Sequence, residues 1–204
     1  MNPTAVHVAV FDTLADWEIG YATAHIRRDS WQREPGRYPV VTVGPSREPV
    51  TTMGGLRVIP DIALAELRPQ DSAMLILAGG DRWDQDSMAG FRTAARRFLT
   101  AGVPVAAICG ATYGLAVEGL LDDRAHTSNA AEYLASSGYA GGDRYVAEPA
   151  VTDGNLITAS ATAPVHFASA IFARLGLYEP EVAASWFKLY GDRDPAGYFE
   201  LMSA

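Results

Sequence analysis

The chain alternates short apolar runs with longer segments in which apolar residues recur at helical spacing. The short runs predict strands at Ala5–Phe11, Tyr38–Gly44, Ala73–Gly80, Val103–Cys109, Tyr145–Ala147 and Leu156–Thr158. The longer segments predict helices at Asp16–Arg28, Ser87–Gly102, Thr112–Gly119, Ala130–Ser136 and Pro164–Leu175. Strands that are almost entirely apolar and alternate with helices indicate an α/β fold, in which helices cover both faces of a mainly parallel sheet.

One loop and the end of the chain complete the predicted architecture. Residues Pro49–Asp61 predict a small hairpin that turns at Gly54 and Gly55. The aromatic-rich segment 179–204 predicts a C-terminal helical extension, which either covers the core or forms a dimer surface. Because no linker-like segment interrupts the chain, we expect a single domain over residues 1–204.

The composition narrows the possible partners. The 204 residues carry a net charge of −8, and 49% of them are hydrophobic. An acidic chain without a basic stripe has nothing to replace phosphate counterions, so we expect no nucleic-acid partner and no binding to membranes. The apolar runs are too short to span a bilayer, and no signal-peptide pattern opens the sequence. The single cysteine, Cys109, excludes an internal disulfide and favours a cytoplasmic location.

Three segments of chemical interest fall at the carboxyl ends of predicted strands, where α/β sheets bind their ligands. Glu18 follows the first strand, Gly79 and Gly80 end the third, and Cys109 ends the fourth. Right-handed crossovers place these ends on one edge of the sheet, so we expect the residues to converge there on a small-molecule substrate.

Cys109 has two interpretations. A lone cysteine is often an inert core thiol. Here, however, it stands between a strand and a helix and precedes the small residues Gly110, Ala111 and Thr112, which is the pattern of a nucleophile elbow. The amino end of the following helix would lower the pKa of the thiol and favour the thiolate. We therefore predict that Cys109 is a catalytic nucleophile.

Glu18 alone would be a solvated acid in the first turn of a helix. Beside a thiolate it would need to be protonated, because only a carboxyl that donates a hydrogen bond stabilises the charge on sulfur. A raised pKa would let Glu18 act as a general acid or base. Backbone amides near the strand ends predict an oxyanion hole. The candidate oxyanion and substrate-binding residues are Gly79, Gly80, Gly110, Ala111 and Asn129.

Among the four histidines, only His126 soon follows the nucleophile segment, and it is a candidate catalytic residue. Strand alternation allows at most one of His126 and Asn129 to point at the thiol, unless the strand ends between them. The alternatives are a local hydrogen bond for His126 and helix capping for Asn129. His7 is expected to be structural and His25 to lie on a helix surface. No metal or cofactor motif is present, so we expect neither group.

Several segments together resemble the DJ/PfpI family of the class I glutamine amidotransferase-like superfamily. They are Glu18 and the stretches LILAGG, AAICGATYGLAVEGLLDDR and ITASATAPVHFASAIFARLGL, and the resemblance covers residues 5–178. It implies a flavodoxin-like three-layer α/β/α sandwich with a nucleophilic Cys109 at the elbow and Glu18 beside it. It also implies oxyanion amides at Gly80 and Gly110, and a homodimer.

The sequence departs from the family pattern at two positions. Peptidase-like members carry a histidine directly after the nucleophile, where this chain has Gly110, so peptidase activity is not expected. Many members carry a histidine where this chain has Asn129, with His126 three residues earlier. The HTSN stretch also resembles a subgroup labelled glutamine amidotransferase-like, which implies kinship of fold more than of chemistry.

Three functions of different classes remain open. The first is a cysteine-dependent hydrolase, lyase or hydratase that acts on a small electrophile such as an aldehyde, a glyoxal, an isonitrile or an amide. The second is a non-catalytic redox-sensing or stress-response protein that uses an oxidisable Cys109. The third is a glutaminase-like amidotransferase subunit, which would need a histidine base from His126 or His166.

Overall fold

The computed structural model describes residues 4–204, and within them nine strands and seven α-helices form. The strands are β1 (Ala5–Ala9), β2 (Val40–Gly44), β3 (Val50–Thr51), β4 (Arg57–Val58), β5 (Ile62–Ala63), β6 (Ser72–Leu77), β7 (Val105–Ile108), β8 (Ala150–Asp153) and β9 (Leu156–Ala159). The helices are α1 (Asp16–Arg27), α2 (Ala89–Thr100), α3 (Gly110–Val117), α4 (Ala131–Ala135), α5 (Pro164–Leu175), α6 (Pro180–Tyr190) and α7 (Ala196–Met202).

Seven of these strands form the central sheet, in the spatial order β5-β2-β1-β6-β7-β9-β8. The first six strands in this spatial order run parallel to one another. The last strand, β8, runs antiparallel and forms a hairpin with β9. The strand order reverses between β1 and β6, and such a switch point opens a crevice at the carboxyl ends of the strands. The predicted α/β fold with a mainly parallel sheet is confirmed.

Buried side chains on the two faces of the sheet form separate cores under the helices, so the molecule has three layers. On one face, α2 and α3 contribute Phe91, Phe98 and Leu115. On the other face, α1 and α5 contribute Ile26 and Phe167. This layering, with a mostly parallel sheet between helices, is consistent with the flavodoxin-like sandwich implied by the family resemblance.

Helices α6 and α7 supply most of the C-terminal extension and pack on the second face. The Trp186 ring of α6 is buried, with its centroid 5.4 Å from that of His25 and 5.0 Å from that of Phe172. The prediction that His25 lies on a helix surface is therefore wrong, because the extension buries it. Burial lowers the pKa of His25 to about 4.

Two smaller features of the fold differ from the prediction. Tyr145 does not begin a strand and forms only an isolated bridge with His126. The edge strand β8, which begins at Ala150, was not predicted, because its short and partly exposed sequence has no apolar periodicity. The hairpin around Gly54 and Gly55 is confirmed, as β3 pairs with β4.

Candidate active site

Cys109 stands at a sharp turn between β7 and α3. Its backbone has φ 58° and ψ −123°, a conformation that costs a non-glycine residue free energy and occurs mainly at functional positions. Two hydrogen bonds hold the turn: the Cys109 N–H donates to the Ala159 carbonyl at 3.0 Å, and the Thr112 hydroxyl donates to the Cys109 carbonyl at 2.6 Å. The local geometry is that of a nucleophile elbow.

The residues after Cys109 are small because Trp83 lies against them. A Cβ atom at Gly110 would come within 2.9 Å of both the Gly80 carbonyl oxygen and Cδ1 of Trp83. A Cβ atom at Gly114 would lie 2.4 Å from Cε3 of the same indole. The indole is itself fixed, since its N–H donates to the Ala78 carbonyl at 2.8 Å. The structure therefore has no room for a side chain at position 110 unless its neighbours move.

Glu18 lies beside the elbow on the first turn of α1 and is fully buried. Its Oε2 accepts a hydrogen bond from the Gly79 N–H at 2.5 Å, and its carboxyl group is hydrogen-bonded to the Cys109 thiol. Its other oxygen, Oε1, is buried and accepts no hydrogen bond. Gly79 must be glycine, because a Cβ atom there would lie 2.8 Å from Oε2 and 2.9 Å from Sγ of Cys109.

The acid and the thiol shift each other's pKa. Burial raises the pKa of Glu18 to about 7, although the hydrogen bonds from Gly79 and Cys109 partly oppose this shift. Burial, and then the negative charge of Glu18, raise the pKa of the Cys109 thiol to about 11. The prediction of a lowered thiol pKa is therefore wrong in direction, since burial of the thiol, followed by the charge of Glu18, outweighs the amino end of α3. When Glu18 is ionised, the pair of side chains keeps one proton, and that proton is on the sulfur of Cys109.

Asn129 is a second polar side chain that reaches the sulfur. Its Nδ2 donates to Sγ of Cys109 at 3.3 Å, and its Oδ1 accepts from the Ala161 N–H at 2.9 Å. Because an N–H can bond only to the oxygen of the amide, the second contact fixes which atom of Asn129 faces the sulfur. Helix α4 begins after Ala130, so the side chain of Asn129 serves the thiol and caps no helix.

His126 is not brought to the thiol. It is fully buried, with Nδ1 bonded to the Arg124 carbonyl at 2.8 Å and Nε2 to the Tyr139 hydroxyl at 3.0 Å. A carbonyl can only accept, so Nδ1 carries the proton and Nε2 accepts from the phenol. Burial lowers the pKa of His126, which keeps the ring neutral. Both ring nitrogens are thus used in holding the loop that follows α3.

The candidate oxyanion amides divide into two groups. The N–H of Gly79 is used on Glu18, and that of Gly110 donates to Sγ of Cys109. Within residues 4–204, the N–H groups of Gly80 and Ala111 have no acceptor. Gly80 lies close to the elbow, because its nitrogen would be 3.4 Å from a Cβ atom at Gly110. The Gly80 amide is therefore free to bind an oxygen atom of a ligand, whereas Ala111 is fully buried in the core.

The part of the chain that the structure describes forms neither a metal-binding cluster nor a membrane-spanning helix. In residues 4–204, no group of three or more His, Cys, Asp or Glu side chains is placed to hold a metal ion. In the same residues, no helix has the length and the apolar character needed to cross a membrane.

Sequence reasoning found the two central residues, Cys109 and Glu18, and missed part of their surroundings. It gave no role to Trp83, because the contact of the indole with Gly110 and Gly114 of α3 forms only in the folded chain. It left open whether His126 or Asn129 faces the sulfur. No pattern in the sequence decides that choice, because the strand at His126 is a single bridge without regular alternation.

A flavodoxin-like sandwich with a cysteine at a nucleophile elbow and a buried acid beside it defines a class of protein. The comparison with family models identifies it more closely: the model of the DJ-1/PfpI family matches residues 4–174. The chain belongs to the DJ-1/PfpI family.

Relatives and solved structures agree with this assignment. The protein named "Uncharacterized protease YoaZ" of Bacillus subtilis (strain 168) is 39% identical, with 100% of this chain and 98% of that protein covered. The structure of a thiJ/pfpI family protein from Bacillus anthracis is 38% identical and has a TM-score of 0.93, covering 100% of this chain and 97% of that one. The DJ-1 superfamily protein Atu0886 from Agrobacterium tumefaciens is 35% identical with a TM-score of 0.82, covering 93% and 99%.

Proposed function

We propose that this protein is a cysteine-dependent enzyme in which Cys109 adds to a small electrophile and Glu18 transfers the proton. The observation that carries the proposal is the buried pair itself: a fully buried carboxyl, hydrogen-bonded to the thiol of a strained elbow residue. A buried acid with an unpaired oxygen is costly, and such costs persist mainly where function requires them.

Glu18 acts first as a base. With a pKa of about 7, the carboxyl is ionised in a large fraction of molecules at neutral pH, while the thiol beside it still holds its proton. As sulfur attacks the carbon of a carbonyl substrate, the thiol proton passes to Glu18. The carbon–sulfur bond forms from the sulfur electron pair, and the π pair of the carbonyl moves onto its oxygen. Glu18 then returns the proton to that oxygen.

A free amide holds the developing charge. The N–H group of Gly80 is a donor that the structure leaves without an acceptor close to the elbow. Donors of this kind stabilise the negative oxygen of the adduct more than the neutral oxygen of the substrate. Asn129 orients the sulfur, since its Nδ2 is fixed on Sγ by the contact between Oδ1 and Ala161.

The test combines turnover with the rate of thiol alkylation in two variants. Methylglyoxal, an isonitrile and glutamine represent the candidate substrate classes. Cys109→Ser should abolish both turnover and alkylation. Glu18→Gln should lower turnover about 100-fold or more, because proton transfer is lost. The same variant should speed alkylation by iodoacetamide at pH 7.5, because the charge that raises the thiol pKa is gone. Glu181→Gln, an exposed change on α6, is the control.

Two results would contradict the proposal. Turnover of Glu18→Gln at the wild-type rate would remove Glu18 from the mechanism. Slower alkylation in Glu18→Gln would mean that the carboxyl works as a proton donor that stabilises a resting thiolate, which is the role expected from the sequence. Background rates for the wild-type protein on all three compounds would remove these substrate classes.

The other candidate functions have less support. A redox sensor needs a readily formed thiolate, whereas burial and Glu18 raise the thiol pKa of Cys109; unchanged intact mass after mild peroxide would exclude it. A glutaminase needs a histidine base, and both ring nitrogens of His126 are bonded elsewhere. The names of the Bacillus subtilis relatives contain the word protease. This chain has glycine at position 110, where the family resemblance implies a histidine for a peptidase, and casein digestion tests that activity.

A homodimer and a cytoplasmic location remain proposals. The dimer is favoured by a cluster of exposed apolar side chains, in which Trp17 of α1 lies beside Met53 and Leu56 of the hairpin. Sedimentation equilibrium measures the mass directly, and a value near 21.8 kDa at all concentrations would rule out the dimer. Localisation of a tagged chain tests the compartment.

A further inference from the structure

A cavity of about 400 Å³ lies beside the elbow, on the face of the sheet covered by α2 and α3. Gly80 belongs both to this lining and to the candidate oxyanion hole, and Tyr133 of the lining interacts electrostatically with Cys109. The cavity therefore lies next to the reacting pair, although Cys109 and Glu18 are not part of its lining. Its volume is at the lower end of the range for small-molecule sites. The lining residues are Gly80, Asp81, Trp83, Asp84, Tyr113, Tyr133 and Ser136.

The walls of the cavity are rigid. Trp83 is almost fully buried and is held at its backbone by Arg92, whose Nη1 donates to the carbonyls of Trp83 and Gln85. The rings of Tyr113 and Tyr133 pack together with their centroids 5.3 Å apart. A ligand therefore meets the tyrosine pair as the accessible aromatic part of the lining, because Trp83 is only 2% exposed.

The charged side chains that line the cavity are both acidic. Asp81 and Asp84 stand in the lining, Glu18 is buried beside the thiol, and the lining contains no Lys, Arg or His. Burial raises the pKa of Tyr133 to about 12, and the neighbouring ionisable groups Cys109, Tyr113, Asp84 and Glu18 add to the shift. The phenol thus stays protonated, and within residues 4–204 its hydroxyl has no hydrogen-bond partner.

We infer that this cavity is the substrate site of the proposed enzyme and that it selects electrophiles that are neutral or positively charged and rejects carboxylates. That the ligand of this cavity is a substrate rests on the proposed function, but the charge selectivity of the cavity does not. Aromatic faces and acidic side chains attract a cation, and a ligand anion meets repulsion from Asp81 and Asp84. The free hydroxyl of Tyr133 donates a hydrogen bond to a ligand oxygen.

The test measures how fast Cys109 reacts with three methanethiosulfonates that differ in charge. The reagents are the cationic 2-(trimethylammonio)ethyl, the neutral methyl and the anionic 2-sulfonatoethyl compounds. Each thiolate attack forms a mixed disulfide and releases methanesulfinate. Because all three reagents react with the same thiolate, a change in its pKa cancels in the ratio of rates. N-acetylcysteine amide supplies the ratio for a free thiol.

We expect the cationic-to-anionic rate ratio of the wild-type protein to exceed that of the free thiol about tenfold or more at low salt. The double variant Asp81→Asn/Asp84→Asn should bring the ratio back towards that of the free thiol. The control Glu181→Gln/Asp192→Asn removes two exposed charges on and after α6, and should leave the ratio unchanged. This control separates the local field from the overall charge of −8.

Two outcomes would overturn the inference: a wild-type ratio equal to that of the free thiol, or a ratio that the Asp81/Asp84 variant leaves unchanged. Its failure is distinguishable from failure of the proposed function. Selectivity without turnover would leave the cavity as a ligand site in a protein that is not this enzyme. Turnover without selectivity would keep the enzyme and discard the inference.

Discussion

Polar side chains are buried at both ends of the central strands, but the two ends differ in whether the hydrogen bonds of these side chains are all satisfied. At the carboxyl end, Glu18 is fully buried with an unpaired oxygen, and Cys109 has a positive φ. At the amino end, His7 and Ser72 are also buried, but each is satisfied: Nδ1 of His7 bonds to the Ser72 hydroxyl at 2.8 Å, which donates to the Arg68 carbonyl at 2.9 Å.

Cavity volume alone would choose the wrong end. The cavity near His7 measures about 620 Å³, against about 400 Å³ for the one beside Cys109. Strain, an unpaired buried oxygen and a free amide mark the carboxyl end instead. The difference teaches that a site is better recognised by polar groups left unsatisfied than by the space available.

The largest expected effect on stability comes from removing the unsatisfied charge. The folded protein raises the pKa of Glu18 from 4.5 to about 7, so between these values it binds a proton that the unfolded chain has released. Wild-type stability therefore falls as the pH rises through this window. Glutamine does not titrate, so the advantage of Glu18→Gln should grow with pH and reach about 3 kcal/mol at most above pH 7. Urea unfolding between pH 5.5 and 8 measures it.

The buried histidines titrate in both proteins, so their contributions cancel in the difference between wild type and Glu18→Gln. A difference that does not vary with pH would mean that Glu18 is not a strained acid. The contrast between the two ends of the sheet would then disappear.

The next effect concerns Gly79, which separates Glu18 from Cys109. Gly79→Ala places a methyl group within 3 Å of both side chains, and overpacking of this kind should destabilise the protein by about 1–3 kcal/mol. Gly20→Ala on α1 is the matched control, because its methyl group meets nothing within 4 Å and alanine favours a helix by up to about 1 kcal/mol. Urea unfolding should thus give opposite signs, and equal signs would contradict the close packing at Gly79.

The smallest effect is expected at the amino end. Ser72→Ala removes the partner of His7 and should cost about 1–2 kcal/mol, since a buried N–H is left unpaired. The rate and pH midpoint of Cys109 alkylation should stay unchanged. A shifted midpoint would show that the two ends are coupled, and the comparison between them would no longer hold.

Much of the fold could be predicted from the sequence because the central parallel strands are short, almost entirely apolar runs that stand out between helices. Cys109 and Glu18 could be placed together for the same reason, since topology brings strand ends to one edge. The partners of these residues could not. Whether Gly79 donates to an oxyanion or to Glu18, and whether Asn129 or His126 reaches the sulfur, depends on tenths of an ångström in loops.

The sign of the thiol pKa shift shows the same limit. The amino end of α3 is visible in the sequence and favours a thiolate, but the depth at which Glu18 is buried is not visible. His25 gives a second example, because its burial depends on Trp186, which lies 161 positions further along the chain. Burial by residues that are distant in the sequence therefore shifts the pKa of both Cys109 and His25.

The contact between Trp83 and Gly110 has a consequence for evolution. Any side chain at position 110 collides with the indole and with the Gly80 carbonyl, so a histidine cannot be gained there by one substitution. A smaller residue at position 83 would remove only the collision with the indole, at the expense of a buried ring, because the Gly80 carbonyl belongs to the backbone. A side chain at position 110 therefore requires at least two coupled changes, one at Trp83 and one in the loop at Gly80.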